Sequence, residues 1–231
     1  HIVPADCWVD PSRAVDRALV THGHADHARG GHRQTVATPE TLAIMELRYA
    51  TRDGATPVAY GETIRLPGGV DATYIPAGHV LGSAQILLEH AGERVIVTGD
   101  YKRRHDPTCP PFEVTPCDIF ITEATFGLPV FCHPPIEDEM AKLLDRLAAH
   151  PDSCVLVGAY ALGKAQRVIA ELRRAGHKDP IYLHGAMEKM CRLYEEHGID
   201  LGELRLVADH AKDDMRGSIV ICPPSALNDR W

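Results

Sequence analysis

Three features of the sequence predict an α/β protein built in two parts. Up to Glu123, short apolar runs closed by Gly, Pro or charged turns follow one another, with one helical stretch among them. Beyond Pro135, strand-like runs alternate with helix-period segments, a spacing that suggests a small parallel sheet. Between them, Glu123–Pro135 carries Gly and Pro and few periodic apolar positions, so the boundary falls there. The expected domains are 1–123 and 124–231.

The elements are expected in this order. Ala18–Thr21 is a strand that delivers a histidine-rich loop at its end. Pro39–Tyr49 is a helix, with Thr38 as its N-cap and Pro39 in the first turn. Thr63–Leu66, Val70–Ile75, Ala84–Glu89, Val95–Thr98 and Ile119–Thr122 are strands. Pro135–Ala149 is an amphipathic helix that places Met140, Leu143, Leu144 and Leu147 on one face. Val155–Val157 is a strand and Gly163–Ala175 a helix. Ile181–Leu183 is a strand, Met187–His197 a helix, and Leu206–Ala208 and Ile219–Cys222 are late strands. No internal repeat or low-complexity tract is present.

Composition narrows the function classes. A chain of 231 residues with a 45% apolar share can bury a core. The net charge of −8 is not that of a non-specific nucleic-acid coat, although bound divalent cations would offset part of it locally. The seven cysteines are odd in number, scattered and without a C-x-x-C pair, which argues against a disulfide framework or zinc ribbon. Free thiols fit a reducing cytoplasm. No signal peptide is visible, and no apolar run approaches the roughly 18 residues of a membrane span. Because the chain starts at His1 rather than Met, a trimmed N-terminus is expected.

Chemistry concentrates in Thr21-His22-Gly23-His24-Ala25-Asp26-His27. No hydrophobic core needs three imidazoles and a carboxylate this close together, but a divalent metal, or two, does. His22 and His24, two apart on an extended loop, project to the same side. Asp26 and His27 lie one turn on and face a neighbouring point. One loop can thus grip a metal pair, roughly 3.5–4 Å apart in hydrolases of this kind. His79, in Gly78-His79-Val80, and Asp100, in Thr98-Gly99-Asp100, each follow an apolar strand. Alone, either residue reads as an ordinary surface or turn residue. Joined to the histidine loop they become candidate ligands, because strand ends build rigid sites.

This order of motifs resembles the metallo-β-lactamase fold family, which implies an αββα sandwich. The resemblance implies that His22, His24 and His79 hold one metal, that Asp26 and His27 hold the other, and that Asp100 bridges them. Asp10, in Trp8-Val9-Asp10-Pro11, is similar to an early buried acid that braces the histidine loop; an ordinary turn aspartate is the alternative. Ile121-Thr122-Glu123-Ala124-Thr125-Phe126-Gly127 resembles the acidic motif opening the insert of the β-CASP branch, which processes nucleic acids. Gly158-Ala159-Tyr160-Ala161-Leu162-Gly163-Lys164-Ala165-Gln166 is similar to the insert's next signature. Lys102-Arg103-Arg104, Leu183-His184-Gly185-Ala186 and Pro223-Pro224-Ser225-Ala226-Leu227 add to the likeness. Within the branch, the chain is most similar to bacterial ligase-associated DNA exonucleases, also labelled mRNA 3′-end processing factors. That resemblance implies two metal ions, zinc favoured over manganese, DNA favoured over RNA, and association with a DNA ligase and a helicase. It also implies two later histidine motifs and a returning part of the sandwich. With Trp231 as the last residue, the second metal is expected to lack a ligand and residues 1–231 to lack full activity.

The expected chemistry is metal-assisted hydrolysis of a phosphodiester by a hydroxide activated between two metals. Asp26 and Asp100 retain the metals and can accept a proton. By resemblance, Glu123 is a nearby acid that orients a ligand; its alternative is a capping or surface glutamate. Gly163 and Lys164 open a helix whose free N–H groups could meet a phosphate, and Lys102, Arg103 and Arg104 could rim the cleft. A charge run is more often a solvated face than a phosphate site, so both readings stay open. Two other functions compete: a small thioester or lactam hydrolase, and a non-catalytic zinc binder. An insert as long as 124–231 suits a polymer better than a small substrate. Mixed N and O donors disfavour a structural zinc site, which is usually closed and cysteine-rich.

Overall fold

The computed structural model describes residues 1–50 and 53–228. The chain divides into two compact units, His1–Gly127 and Leu128–Trp231. Together they hold three sheets and four α-helices among the described residues.

The first unit contains β1 (Trp8–Val9), β2 (Arg17–Leu19), β3 (Gln34–Ala37), α1 (Pro39–Tyr49), β4 (Ala55–Pro57), β5 (Thr63–Arg65), β6 (Asp71–Pro76), β7 (Ala84–His90), β8 (Glu93–Val97) and β9 (Ile119–Ile121). One sheet is parallel, in the order β1-β2-β3-β4. The other runs β5-β6-β7-β8-β9, antiparallel except for the parallel β8–β9 pair. The facing sides of the two sheets make one core. Leu19 and Val36 come from the first sheet, and Ala72, Tyr74, Ile86 and Leu88 from the second. Tyr74 is fully buried, and its hydroxyl is satisfied by donating to the Val36 carbonyl across that core (2.8 Å). On the outer face of the first sheet, Ala18, Val20 and Ala37 pack against Leu42 and Met45 of α1. The layers are therefore helix, sheet, sheet.

Helix α1 starts where its sequence says it should. The Thr38 hydroxyl oxygen accepts from the Thr41 N–H (3.2 Å), and Pro39 occupies the first turn. Both threonine hydroxyls also donate to the Gly82 carbonyl, at 2.7 and 2.9 Å, which fixes the helix start to the β6–β7 loop. Three strands escape the sequence reading: β1, β3 and β4. Each is four residues or fewer and lacks a clean alternation, so it exists because parallel neighbours supply its hydrogen bonds. Pro57 is tolerated because β4 lies at the sheet edge.

The second unit contains α2 (Ile136–Ala149), β10 (Val155–Gly158), α3 (Lys164–Arg174), β11 (Ile181–Leu183), α4 (Gly185–Glu196), β12 (Leu204–Leu206) and β13 (Ile219–Cys222). Its sheet is fully parallel, in the order β10-β13-β11-β12, as strand–helix alternation predicts. Ile219–Cys222 is buried throughout, as befits a central parallel strand. The strand expected at Leu206–Ala208 lies two residues earlier. Pairing of Ile181 with Leu204 and Leu183 with Leu206 sets the register, and Val207–Asp209 turns into a 3₁₀ segment. Arg173 stitches the loops entering β11 and β12. Its guanidinium donates to the carbonyls of Leu201, His177, Asp179 and Glu203, at 2.7–3.0 Å.

Candidate metal centre

Three loops at strand ends converge in the first unit. The first leaves β2 through Val20 and Thr21, whose carbonyl accepts from the Ala84 N–H at the start of β7 (2.8 Å). The second joins β6 to β7. There the Ser83 hydroxyl oxygen accepts from the His79 and Val80 N–H groups, at 3.0 and 3.1 Å, and shapes the turn that presents His79. The third follows β8 and carries Asp100.

The imidazole nitrogens of His22, His24 and His79 and a carboxylate oxygen of Asp100 lie within 4.8 Å of one another. His24 Nδ1 stands 3.0 Å from His22 Nε2 and 3.1 Å from His79 Nε2. Asp100 Oδ2 is 3.6 Å from His79 Nε2 and 3.9 Å from His22 Nε2. Its other oxygen, Oδ1, is 3.4 Å from His27 Nε2. Asp26 Oδ2 lies 3.7 Å from the same nitrogen, on a largely exposed side chain.

Asp10 organises two of these imidazoles. One carboxylate oxygen accepts from the Thr21 N–H (2.8 Å) and the other from the Thr21 hydroxyl (2.6 Å). Thr21 Oγ1 is thereby free to accept from His22 Nδ1–H (3.1 Å), which leaves His22 Nε2 with its lone pair facing the centre. Asp10 also accepts from His27 Nδ1–H (2.8 Å), which turns His27 Nε2 the same way, ready to hold a metal once its own proton has left.

The electrostatics favour neutral ligands at the first cluster. Burial and the neighbouring imidazoles push His79 down to about 4, and the same causes hold the fully buried His22 well below the usual histidine range. Both therefore offer lone pairs at neutral pH. The hydrogen bond with His27 outweighs burial and lowers Asp100 to about 2, so it is a carboxylate throughout. His27 behaves oppositely. Burial alone would lower it, but its bonds to Asp10 and Asp100 prevail and raise it to about 10.

The donor set fits a divalent metal. Nitrogen donors bound at about 2.0–2.1 Å in a tetrahedron are roughly 3.3–3.4 Å apart. The observed ligand-atom separations of 3.0 to 3.9 Å bracket that value. With no ion bound, His27 carries a proton at neutral pH, and that proton must leave when a metal binds Nε2. Zinc affinity is therefore expected to climb as pH rises towards about 10, with proton release at neutral pH. Calorimetric titrations in buffers of different ionisation enthalpy measure that release, and a pH-independent affinity between 6 and 9 would contradict it.

Gly99 sets how closely the first and third loops approach. It holds a left-handed φ of 54°, and a Cβ there would meet the buried Thr21 side chain, 2.6 Å from its Cβ. Gly99→Ala is expected to cost about 1–3 kcal/mol of stability, because strain and clash coincide beside Asp100. Urea unfolding measures the loss.

The other expected site residues lie as follows. Glu123 is half-buried and its carboxylate accepts the Thr125 N–H (2.6 Å), capping the turn after β9. It is not among the converging ligand groups found among the described residues. Lys102 is ion-paired with the buried Asp106, so its charge is already partnered, while Arg103 and Arg104 are exposed. At the Gly163–Lys164 helix start two of the N–H groups have partners within the chain. Gly163 N–H donates to Gln166 Oε1 (2.8 Å) and Ala165 N–H to the Tyr160 carbonyl (3.1 Å), and the Lys164 side chain is exposed. Thr21, Ser83 and Asp106 were missed. Only Asp106 carried a local signal, the Asp-Pro-Thr turn pattern.

A two-sheet α/β sandwich with a histidine–aspartate centre at its strand ends thus defines the class. No family model matches the chain. Relatives do. A probable DNA ligase of Opitutus terrae is 33% identical over 224 residues, covering 95% of this chain and 21% of that protein. Ribonuclease TTHA0252 of Thermus thermophilus is 29% identical over 214 residues, covering 77% of this chain and 48% of the relative. Endoribonuclease YSH1 of Mycosarcoma maydis is 28% identical over 221 residues, covering 77% and 25%. The chain belongs to the β-CASP branch of the metallo-β-lactamase fold family. It spans between a fifth and a half of the length of these curated relatives.

Proposed function

We propose that this protein is a metal-dependent nuclease that hydrolyses phosphodiesters in DNA from an end, in repair. The observation that carries this reading is the convergence of His22, His24, His79, His27 and both oxygens of Asp100 on one locus. On this reading His22, His24 and His79 would hold one ion, Asp26 and His27 the other, and Asp100 would be shared between them. Residues 1–123 form the catalytic core and 124–231 the insert that lies along the polymer. Imidazole and carboxylate donors suit zinc, with manganese the alternative. Such ions supply Lewis acidity, which activates water at neutral pH and neutralises charge on the phosphoryl oxygens. The chain's own residues do the rest. Asp10 fixes the tautomers of His22 and His27, Asp26 and Asp100 are placed to accept a proton, and Arg103 and Lys164 offer charge to the backbone. Glu123, close to the end of β9, steadies the turn that leads into the insert.

DNA is preferred because the relative that covers 95% of this chain is named a probable DNA ligase. The same likeness supports a partnership with a ligase, and the resemblance of the motifs to ligase-associated exonucleases is the ground for adding a helicase. The seven free cysteines suit a cytoplasmic location. No helix among the described residues is long and apolar enough to cross a membrane. RNA is the second reading, favoured by the relatives named ribonuclease and endoribonuclease.

The test uses the protein expressed with whatever sequence flanks these residues in its gene. Matched single-stranded DNA and RNA oligonucleotides are digested with zinc or manganese present. The expected result is progressive shortening of DNA from one end, abolished by His24→Ala. Shortening of RNA alone would favour the second reading, and cleavage that survives His24→Ala would sink both.

A further inference from the structure

Both loops that bring Asp100 and His79 together are tied to one buried ion pair outside the ligand set. Asp106 is 3% exposed. Its Oδ1 accepts the Thr108 N–H (3.0 Å) and the Thr108 hydroxyl (2.6 Å), and its Oδ2 pairs with Lys102 Nζ. Lys102 follows Asp100 by two residues, and its backbone N–H donates to the Ala77 carbonyl (3.0 Å), two residues before His79. Gly78, between Ala77 and His79, lies so close to the Lys102 carbonyl and the Phe112 N–H that a Cβ would clash with both, the latter at 2.8 Å. The far side of the same loop is also fastened to the β6 end. Glu113 N–H donates to the Pro76 carbonyl (3.2 Å), and the buried Gln85 amide donates to the carbonyls of Pro76 (3.1 Å) and Glu113 (2.8 Å). Tyr101 and Phe112 meet ring to ring at 5.1 Å. Residues 100–113 thus form a buckle closed around Gly78, and the Lys102–Asp106 pair is its clasp.

We propose that Lys102 and Asp106 are positioning residues that set Asp100 against His79, and that Lys102 is not part of a substrate-binding rim. The proposal rests on the metal-centre reading above. A buried carboxylate already accepting two bonds from Thr108 leaves Lys102 little freedom to follow a phosphate. A partner that orients a ligand loop typically affects metal affinity about 10–100-fold. A cation that contacts only the polymer backbone instead alters polymer affinity and its salt dependence.

The experiment measures zinc affinity by calorimetry for the wild type, Asp106→Asn, Lys102→Met and the K102M/D106N pair, with folding checked by circular dichroism. Asparagine can keep the Thr108 contacts while removing the charge. Lys102→Met alone leaves a buried carboxylate unpaired. If it fails to fold, D106N and the charge-free double variant carry the test. His24→Ala, measured alongside, identifies the heat that belongs to the centre rather than to thiols. The expected result is a 10–100-fold loss of zinc affinity in every folded variant, with the double variant no weaker than the sum of the singles predicts. Wild-type zinc affinity in D106N and the double variant would overturn the positioning role while leaving the metal centre standing. Equal zinc binding by the wild type and His24→Ala would remove the centre itself, and the proposal with it.

Discussion

Asp10→Ala is expected to destabilise the first unit by about 2–4 kcal/mol, because a partly buried carboxylate that accepts three hydrogen bonds is removed, and bonds to charged groups are worth about 1.5–3 kcal/mol each when measured singly. Three donors lose their acceptor at once: the Thr21 N–H, the Thr21 hydroxyl and His27 Nδ1–H. His27, protonated at neutral pH in the ion-free chain, is left partly buried beside the carboxylates of Asp100 and Asp26. The backbone adds to the loss. Asp10 sits at φ 44°, a left-handed conformation that aspartate tolerates better than alanine. The tautomer of His22 also becomes unguided, because Thr21 no longer has a fixed acceptor for its own proton. Urea unfolding with an unchanged m-value reports the stability. A loss below roughly 1 kcal/mol would show that Asp10 is the ordinary turn aspartate its Asp-Pro context also allows.

In the second unit the largest expected effect belongs to Arg173→Ala. Four backbone carbonyls lose a charged donor together, on two loops that enter neighbouring strands. Hydrogen bonds from charged groups are worth about 1.5–3 kcal/mol each when measured singly. Shared geometry and access of water to the freed carbonyls reduce the sum, so a loss of about 3–4 kcal/mol is expected. Arg173→Lys should recover little, because three donors on a flexible stem cannot replace a planar fork. Hydrogen exchange localises the effect. The amides of β11 and β12 should lose protection well before those of β10. Unchanged exchange in Ile181–Leu183 and Leu204–Leu206 would refute the latch.

How much of this was legible beforehand differs by element. The helix Pro39–Tyr49 was readable to the residue because its cap and its proline are local signals. The strands Ile181–Leu183 and Ile219–Cys222 were equally plain, being fully apolar runs between turns. Strands β1, β3 and β4 were not, since two to four residues without alternation become strands only when a neighbour pairs with them. The Leu204–Leu206 register was likewise decided by β11.

The candidate centre shows the same division. Which residue types hold metal could be read from one short segment, because three histidines and an aspartate within it have no cheaper physical explanation. That His79 and Asp100 reach the same point is a tertiary result: His79 arrives from the β6–β7 loop and Asp100 from the end of β8. So is the shared acceptor Asp10, whose three bonds span 11 to 17 residues of sequence. Lys102 is the sharpest case. Its sequence context, a run of three cations, suggested a phosphate rim, whereas folding buried Asp106 beside it and turned a surface charge into a clasp. Composition and local pattern specify which chemistry a side chain offers. Only the folded chain, by choosing each group's partner and its distance from water, specifies how that chemistry is used.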